Sequence, residues 1–111
     1  MKRERRRTHR FLFEAPVNLT DISSHSQITA VTGDIGPFGC FVRTELSFSI
    51  GSAIELWISY NGRTFSTTGS VMYVIKEQGM GIAFDELSVQ NRSVLDQWIA
   101  EQSTEPILLR K

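Results

Sequence analysis

Two short clusters hold the residue types best suited to chemistry. Residues 1–10 carry Lys2, Arg3, Arg5, Arg6, Arg7 and Arg10 against a single acid, Glu4. Arginine presents a flat, permanently charged fork of donors. That fork matches phosphate oxygens and the O6/N7 edge of guanine, and its plane stacks on a base. Arg6 and Arg10 stand four apart, and Arg10 runs straight into Phe11. The second cluster is Gly33-Asp34-Ile35-Gly36-Pro37-Phe38-Gly39, with three glycines and a proline in seven residues. Such a stretch bends sharply, and its glycines let the backbone approach a ligand closely. The Asp34 carboxylate can accept hydrogen bonds from guanine N1–H and N2–H. Read alone, the arm also fits a solvated tail or a salt-sensitive polyanion contact, and the loop fits a plain turn between strands. Read together, a basic arm and an acidic turn suit a guanine nucleotide, which is anionic at phosphate and a donor at its base edge.

The elements that must position these clusters are mostly strands. Phe11, Phe13, Ala15, Val17 and Leu19 alternate with Leu12, Glu14, Pro16, Asn18 and Thr20, which predicts one half-buried strand over 11–20. Pro16 lacks an N–H and belongs at an edge or a bulge. After a polar turn over 21–26, residues 27–33 alternate again, with Ile28, Ala30 and Thr32 on one face. Residues 40–43 restart a strand after the glycine loop. Asn61-Gly62 suits a type I′ turn between strands over 53–60 and 63–74, and Gly69 marks a bulge or tight bend in the second. Residues 79–84 form a further strand, with Met80, Ile82 and Phe84 on one face. Ser88 can N-cap a helix running to about Gln102. Its stripe is Val94, Leu95, Trp98 and Ile99, with Asn91 the polar exception. Residues 103–111, interrupted by Pro106, read as a loose tail. The expected fold is therefore all-β with one C-terminal helix: about six short antiparallel strands in a small barrel or sandwich, with the open end of a barrel the natural place for the helix to bury its stripe.

Length and composition narrow the functional classes. The chain has 111 residues, 41% of them hydrophobic and 22% charged, enough for one domain with a real core. A single cysteine, Cys40, allows no internal disulfide and reads as a small buried hydrophobe. Two histidines in polar stretches, with no second ligand at metal spacing, give no metal site. No nucleophile elbow or phosphate-binding Gly-Lys-Ser/Thr loop is present, so the expectation is a binding protein and not an enzyme, with no cofactor. No apolar run reaches the ~18–20 residues of a membrane span, and the default compartment is the cytoplasm. Net charge is zero, but it is unevenly placed. Residues 1–10 hold six bases and one acid, and residues 11–111 hold six bases and eleven acids. The acidic body repels polyanions while the arm attracts something anionic. Trp57 is expected at the rim, Trp98 as the helix's anchor in the barrel, and Phe38 at the loop tip over a ligand or against a partner.

These pieces together resemble the PilZ domain family. The resemblance runs from about Glu4 to Gln102. It rests on an RxxxR motif at Arg6 and Arg10, a D/NxSxxG motif over Asp34–Gly39, and the segment Gly79-Met80-Gly81-Ile82-Ala83-Phe84-Asp85-Glu86-Leu87 leading into the helix. The family's fold is a six-stranded antiparallel barrel that binds the bacterial second messenger cyclic di-GMP. The resemblance thus implies a receptor or adaptor in signalling, of the kind tied to motility and biofilm formation, acting on an effector protein.

Carried over by position, Arg6 and Arg10 grip the phosphates and Hoogsteen edges, Arg5 and Arg7 assist, Asp34 takes the guanine Watson–Crick edge and Gly39 closes the loop. Gly36 stands where the motif has serine. That departure motivates a second reading, a PilZ-like interaction module of the motility or pilus type with weak or no nucleotide binding. A third, a nucleic-acid-binding barrel, is disfavoured by the acidic body.

Overall fold

The computed structural model describes the backbone of residues 10–109 and the side chains of residues 10–102. Its strands are β1 (Phe11–Leu12), β2 (Pro16–Asp21), β3 (Gln27–Ile35), β4 (Gly39–Arg43), β5 (Ala53–Tyr60), β6 (Arg63–Ile75) and β7 (Gly79–Phe84), followed by the helix α1 (Val89–Leu109). The sheet runs β1-β3-β2-β5-β6-β7-β4, and a further β3–β4 pairing closes it. All pairings are antiparallel. β1 lies alongside β3 in line with β2, so the closed barrel has six strands, as the sequence leads one to expect.

Inward positions follow the period of two. Phe13, Ala15, Val17 and Leu19 are buried, as are Ile54, Leu56 and Ile58 of β5. Asn61 (φ 57) and Gly62 (φ 78) are both left-handed, the demand of a type I′ turn, and Tyr60 pairs with Arg63 across it. Asn tolerates that conformation and Gly adopts it freely. The helix is held at its start by Ser88, whose Oγ accepts the Asn91 N–H at 3.1 Å. Asn91 in turn accepts the Ser66 N–H at 2.9 Å, which ties the first turn to β6. Val94, Leu95 and Trp98 are buried. Trp98 closes one end of the barrel against Phe13, Tyr60 and Phe65, with ring centroids 5.4, 5.7 and 6.3 Å away.

Four local expectations are corrected. The segment 11–20 is not one strand, because it breaks over residues 13–15. Between Leu12↔Asp34 and Pro16↔Val31, three residues on this side face two on β3, so the chain bulges and β2 starts at Pro16. Thr32 fills the break. Its hydroxyl accepts the Ala15 N–H at 3.0 Å and donates to the Phe13 carbonyl. The bulge in β6 is at Met72, where the register to β7 shifts, and not at Gly69. Gly69 is instead a contact position, since a Cβ there would sit 2.3 Å from the Ala83 carbonyl oxygen. β3 continues through Asp34 to Ile35, so the bend is confined to Gly36, Pro37 and Phe38. The helix passes Gln102 and includes Pro106. The proline removes one N–H, while Glu101, Gln102, Glu105 and Leu108 are strong helix formers.

Candidate functional site

The Arg10 and Asp34 side chains meet. Arg10 Nη1 donates to Asp34 Oδ1 at 2.8 Å, with the two side chains 20% and 28% exposed. Register explains the meeting. β1 pairs with β3 so that Leu12 lies opposite Asp34 and Phe11 opposite Ile35, which leaves Arg10 just past the end of the ladder. The backbone N–H of Phe41 donates to the same Asp34 oxygen at 3.1 Å. Asp34 is thus fixed by a cation and by the neighbouring strand at one oxygen. Among the described residues Oδ2 has no partner, so the second oxygen can accept donors from a ligand.

The thiol of Cys40, opposite Ile35, sits behind this pair in the barrel wall. Burial pushes it up to about 12 from 9.0, with the nearby Arg10 charge opposing the shift and the Asp34 charge adding to it. Cys40 is therefore a neutral, apolar backing for the ion pair.

The loop from β3 to β4 is short and tied on two sides. Gly36 N–H donates to the Gly39 carbonyl at 2.9 Å, leaving Pro37 and Phe38 at the tip. Phe84 N–H donates to the Phe38 carbonyl at 2.9 Å, and Arg92 of α1 donates to the Pro37 carbonyl at 3.4 Å. Gly39 is dictated by space. A Cβ there would lie 2.2 Å from the Ile82 carbonyl oxygen, so only glycine lets β4 approach β7 this closely. Phe38 projects from the tip, 59% exposed. Gly36 is buried and offers no hydroxyl where the motif has serine.

Two aromatic residues beside Asp34 were not foreseen. Phe41 and Tyr73 stack on the outer face, centroids 6.2 Å apart and planes at 22°. Both rings cover β7, where a Cβ on Gly81 would lie 2.2 Å from the Tyr73 ring and one on Gly79 would lie 2.8 Å from Phe41. The signal in the sequence was Gly79-x-Gly81 in a strand, but reading it requires knowing that Gly81 pairs with both Phe41 and Tyr73. The result is a flat, half-exposed aromatic shelf next to a fixed carboxylate and a cation.

Of the residues expected at the site, the structure brings Arg10 and Asp34 into contact and places Gly36 and Gly39 in the adjoining loop. Arg5, Arg6 and Arg7 lie outside the described residues. Among the described residues no cluster of three His, Cys, Asp or Glu side chains could hold a metal ion, and no helix is long and apolar enough to cross a membrane.

The structure is a closed six-stranded barrel with a capping helix, and an arginine at its mouth is bound to the first residue of a D-x-x-x-x-G loop. The PilZ domain family model matches residues 4–101, and the chain belongs to the PilZ family. Among solved structures it is similar to the Bacillus subtilis inhibitor of motility MotI/DgrA, with a TM-score of 0.76 and 19% identity over 92% of this chain. The match covers 53% of MotI/DgrA, so the chain spans about half that protein's length. It is similar to the PilZ domain of YcgR from Escherichia coli, solved with cyclic di-GMP, at TM-score 0.76 and 14% identity, covering 93% of this chain and 95% of that one. The PilZ domain of CeSA from a cellulose-synthesizing bacterium gives TM-score 0.67 and 16% identity, covering 84% of this chain and 96% of that one. No curated protein matches the sequence.

Proposed function

We propose that this chain is a cyclic di-GMP receptor that signals to a partner protein in the cytoplasm, and that it performs no catalysis. The observation that carries the reading is the Arg10–Asp34 pair, at 2.8 Å and largely shielded from water. It sets an arginine fork and a carboxylate side by side, as a guanine nucleotide requires. The fork takes phosphate or the O6/N7 edge, Asp34 Oδ2 takes N1–H and N2–H, and the Phe41–Tyr73 shelf offers apolar surface to a base. Arg5, Arg6 and Arg7 supply the remaining positive charge. The ligand draws the arm against the Asp34–Gly39 loop, and the ordered arm with its ligand is the surface an effector reads. Membership in the family supports the ligand class, as does the fold shared with a PilZ domain solved with cyclic di-GMP.

The test is isothermal titration of cyclic di-GMP into the purified chain, with GTP and cyclic di-AMP as controls. Selective binding at micromolar or tighter affinity is expected. Arg10→Ala should weaken it by at least about tenfold, the worth of one charge-assisted hydrogen bond, with the melting curve of a folded barrel retained. An unchanged affinity in Arg10→Ala would remove the assignment. Gly36 supports the other reading, an interaction module indifferent to nucleotide. That reading requires no heat of binding and no shift of the Phe41 and Asp34 amide signals.

A further inference from the structure

Arg43 stands at the end of β4 on the same outer face as Phe41. β3 carries an extra residue there, since its register to β4 shifts between Thr32 and Asp34. That extra residue is Gly33, directly before Asp34. The stem of Arg43 lies across it: a Cβ on Gly33 would be 3.3 Å from Arg43 Cγ and 3.4 Å from the Phe41 ring. Phe41 and Arg43 thus flank the bulge that presents Asp34.

The head of Arg43 is parked. Its Nη2 donates to Glu14 Oε2 at 2.8 Å, with the side chains 50% and 69% exposed. A single ion pair this exposed is weak and easily exchanged for another anion. Glu14 belongs to the break between β1 and β2, and both residues line one hollow with Gly33 and Leu12, the register partner of Asp34. The hollow therefore adjoins the Arg10–Asp34 pair along β1. Arg43 is the one cation among the described residues that line this hollow.

We propose that Arg43 is a further ligand-contacting residue, which leaves Glu14 to bind a phosphate or a guanine O6/N7 edge of the nucleotide held at Arg10 and Asp34. This rests on the cyclic di-GMP reading above. Glu14 is then a built-in competitor. It holds the Arg43 fork ready in the free protein and charges every anionic ligand the loss of one ion pair. Arg43 also supplies a charged donor to a site whose loop lacks the serine hydroxyl at Gly36.

The test is calorimetric titration of cyclic di-GMP into the full chain and five variants: Arg43→Met, Arg43→Lys, Glu14→Gln, Glu14→Gln with Arg43→Met, and Arg10→Ala. Arg43→Met should weaken binding about tenfold or more, and Arg43→Lys, which keeps the charge without the fork, should fall between it and wild type. Glu14→Gln should tighten binding several-fold, and that gain should vanish when Arg43 is Met, which a general charge effect of Glu14 would not do. The melting temperatures of these surface variants should stay near wild type. Wild-type affinity in Arg43→Met overturns the proposal. So does a Glu14→Gln gain that persists beside Arg43→Met. If Arg43→Met does not fold, wild-type affinity in folded Arg43→Lys together with no gain in Glu14→Gln also overturns it. A wild-type chain that does not bind removes the receptor reading and this inference together. Binding that is lost in Arg10→Ala but indifferent to Arg43 removes this inference alone.

Discussion

Replacing Thr32 with valine isolates the device that holds β1, and with it Arg10, in place. The two side chains have nearly the same shape, so packing is kept and only the hydroxyl is lost. In the native barrel that hydroxyl accepts from Ala15 N–H and donates to the Phe13 carbonyl, and the Thr32 side chain is wholly buried. Valine leaves both backbone groups unpaired in the interior. Each such group costs about 1–3 kcal/mol. Allowing for partial relaxation at the exposed neighbour Glu14, the net loss is about 2 kcal/mol. For a domain of this size that lowers the melting temperature by roughly 8–15 °C. Thr32→Ser keeps the hydroxyl and loses one methyl group, at about 1 kcal/mol. Urea unfolding followed by tryptophan fluorescence gives both values, since Trp98 reports on the helix-capped end where Phe13 packs. Because Phe13 and Ala15 flank the break, β1 should also loosen on β3. Cyclic di-GMP affinity in Thr32→Val should then fall several-fold under conditions where the barrel is folded. A Thr32→Val protein as stable as wild type, or less affected than Thr32→Ser, would refute the assignment of Thr32 as the clasp between the two short strands.

Other outcomes follow from single sites. Gly36→Ser restores the motif hydroxyl at a position whose backbone is not left-handed; titration should give an affinity gain between several-fold and about a hundredfold. Gly39→Ala drives a methyl group into the Ile82 carbonyl and should cost roughly 1–3 kcal/mol in chemical denaturation. Cys40 ionises near 9.0 in the unfolded chain but only at about 12 when folded. The unfolded state therefore sheds a proton that the folded state keeps, so stability is unaffected below pH 9 and falls between pH 9 and 12. Cys40→Ala should lack that part of the alkaline loss, and native Cys40 should stay inert to Ellman's reagent until unfolding. The buried Trp98 Nε1–H has no partner among the described residues. Trp98→Phe should accordingly cost less than the ~3–5 kcal/mol of a Trp→Ala truncation, as a melting comparison of the two variants would show.

What could be read from the sequence was whatever depends on local period and turn chemistry. The inward row Phe13, Ala15, Val17 and Leu19, the Asn61-Gly62 hairpin, the Ser88 cap and the Trp98 stripe are each specified within a few residues of themselves. Arg10 and Asp34 were each legible as candidate binding residues, one just before a strand and the other in a glycine-rich stretch between strands, but their contact depends on the β1–β3 register. The break at residues 13–15 was not legible, because the alternation runs through it unchanged and its cause, Thr32, lies on another strand. The bulge at Met72 was hidden for a similar reason. Gly69 is the residue that ordinarily marks one, yet here glycine serves close contact with Ala83 instead. The Phe41–Tyr73 shelf depends on three strands in register, and no single segment encodes it.

The ties of the Pro37–Phe38 tip have a consequence for when the protein becomes competent. Gly39 pairs with Ala83, Phe38 accepts from Phe84, and Pro37 accepts from Arg92. Each tie joins residues more than forty positions apart in the chain. None of these ties can form before β7 and the start of α1 have been synthesised. During synthesis, a chain that has not yet released β7 holds Arg10 and Asp34 but has no frame to set the loop. On the receptor reading proposed above, a ribosome-bound precursor should therefore not bind cyclic di-GMP until β7 and α1 have left the exit tunnel.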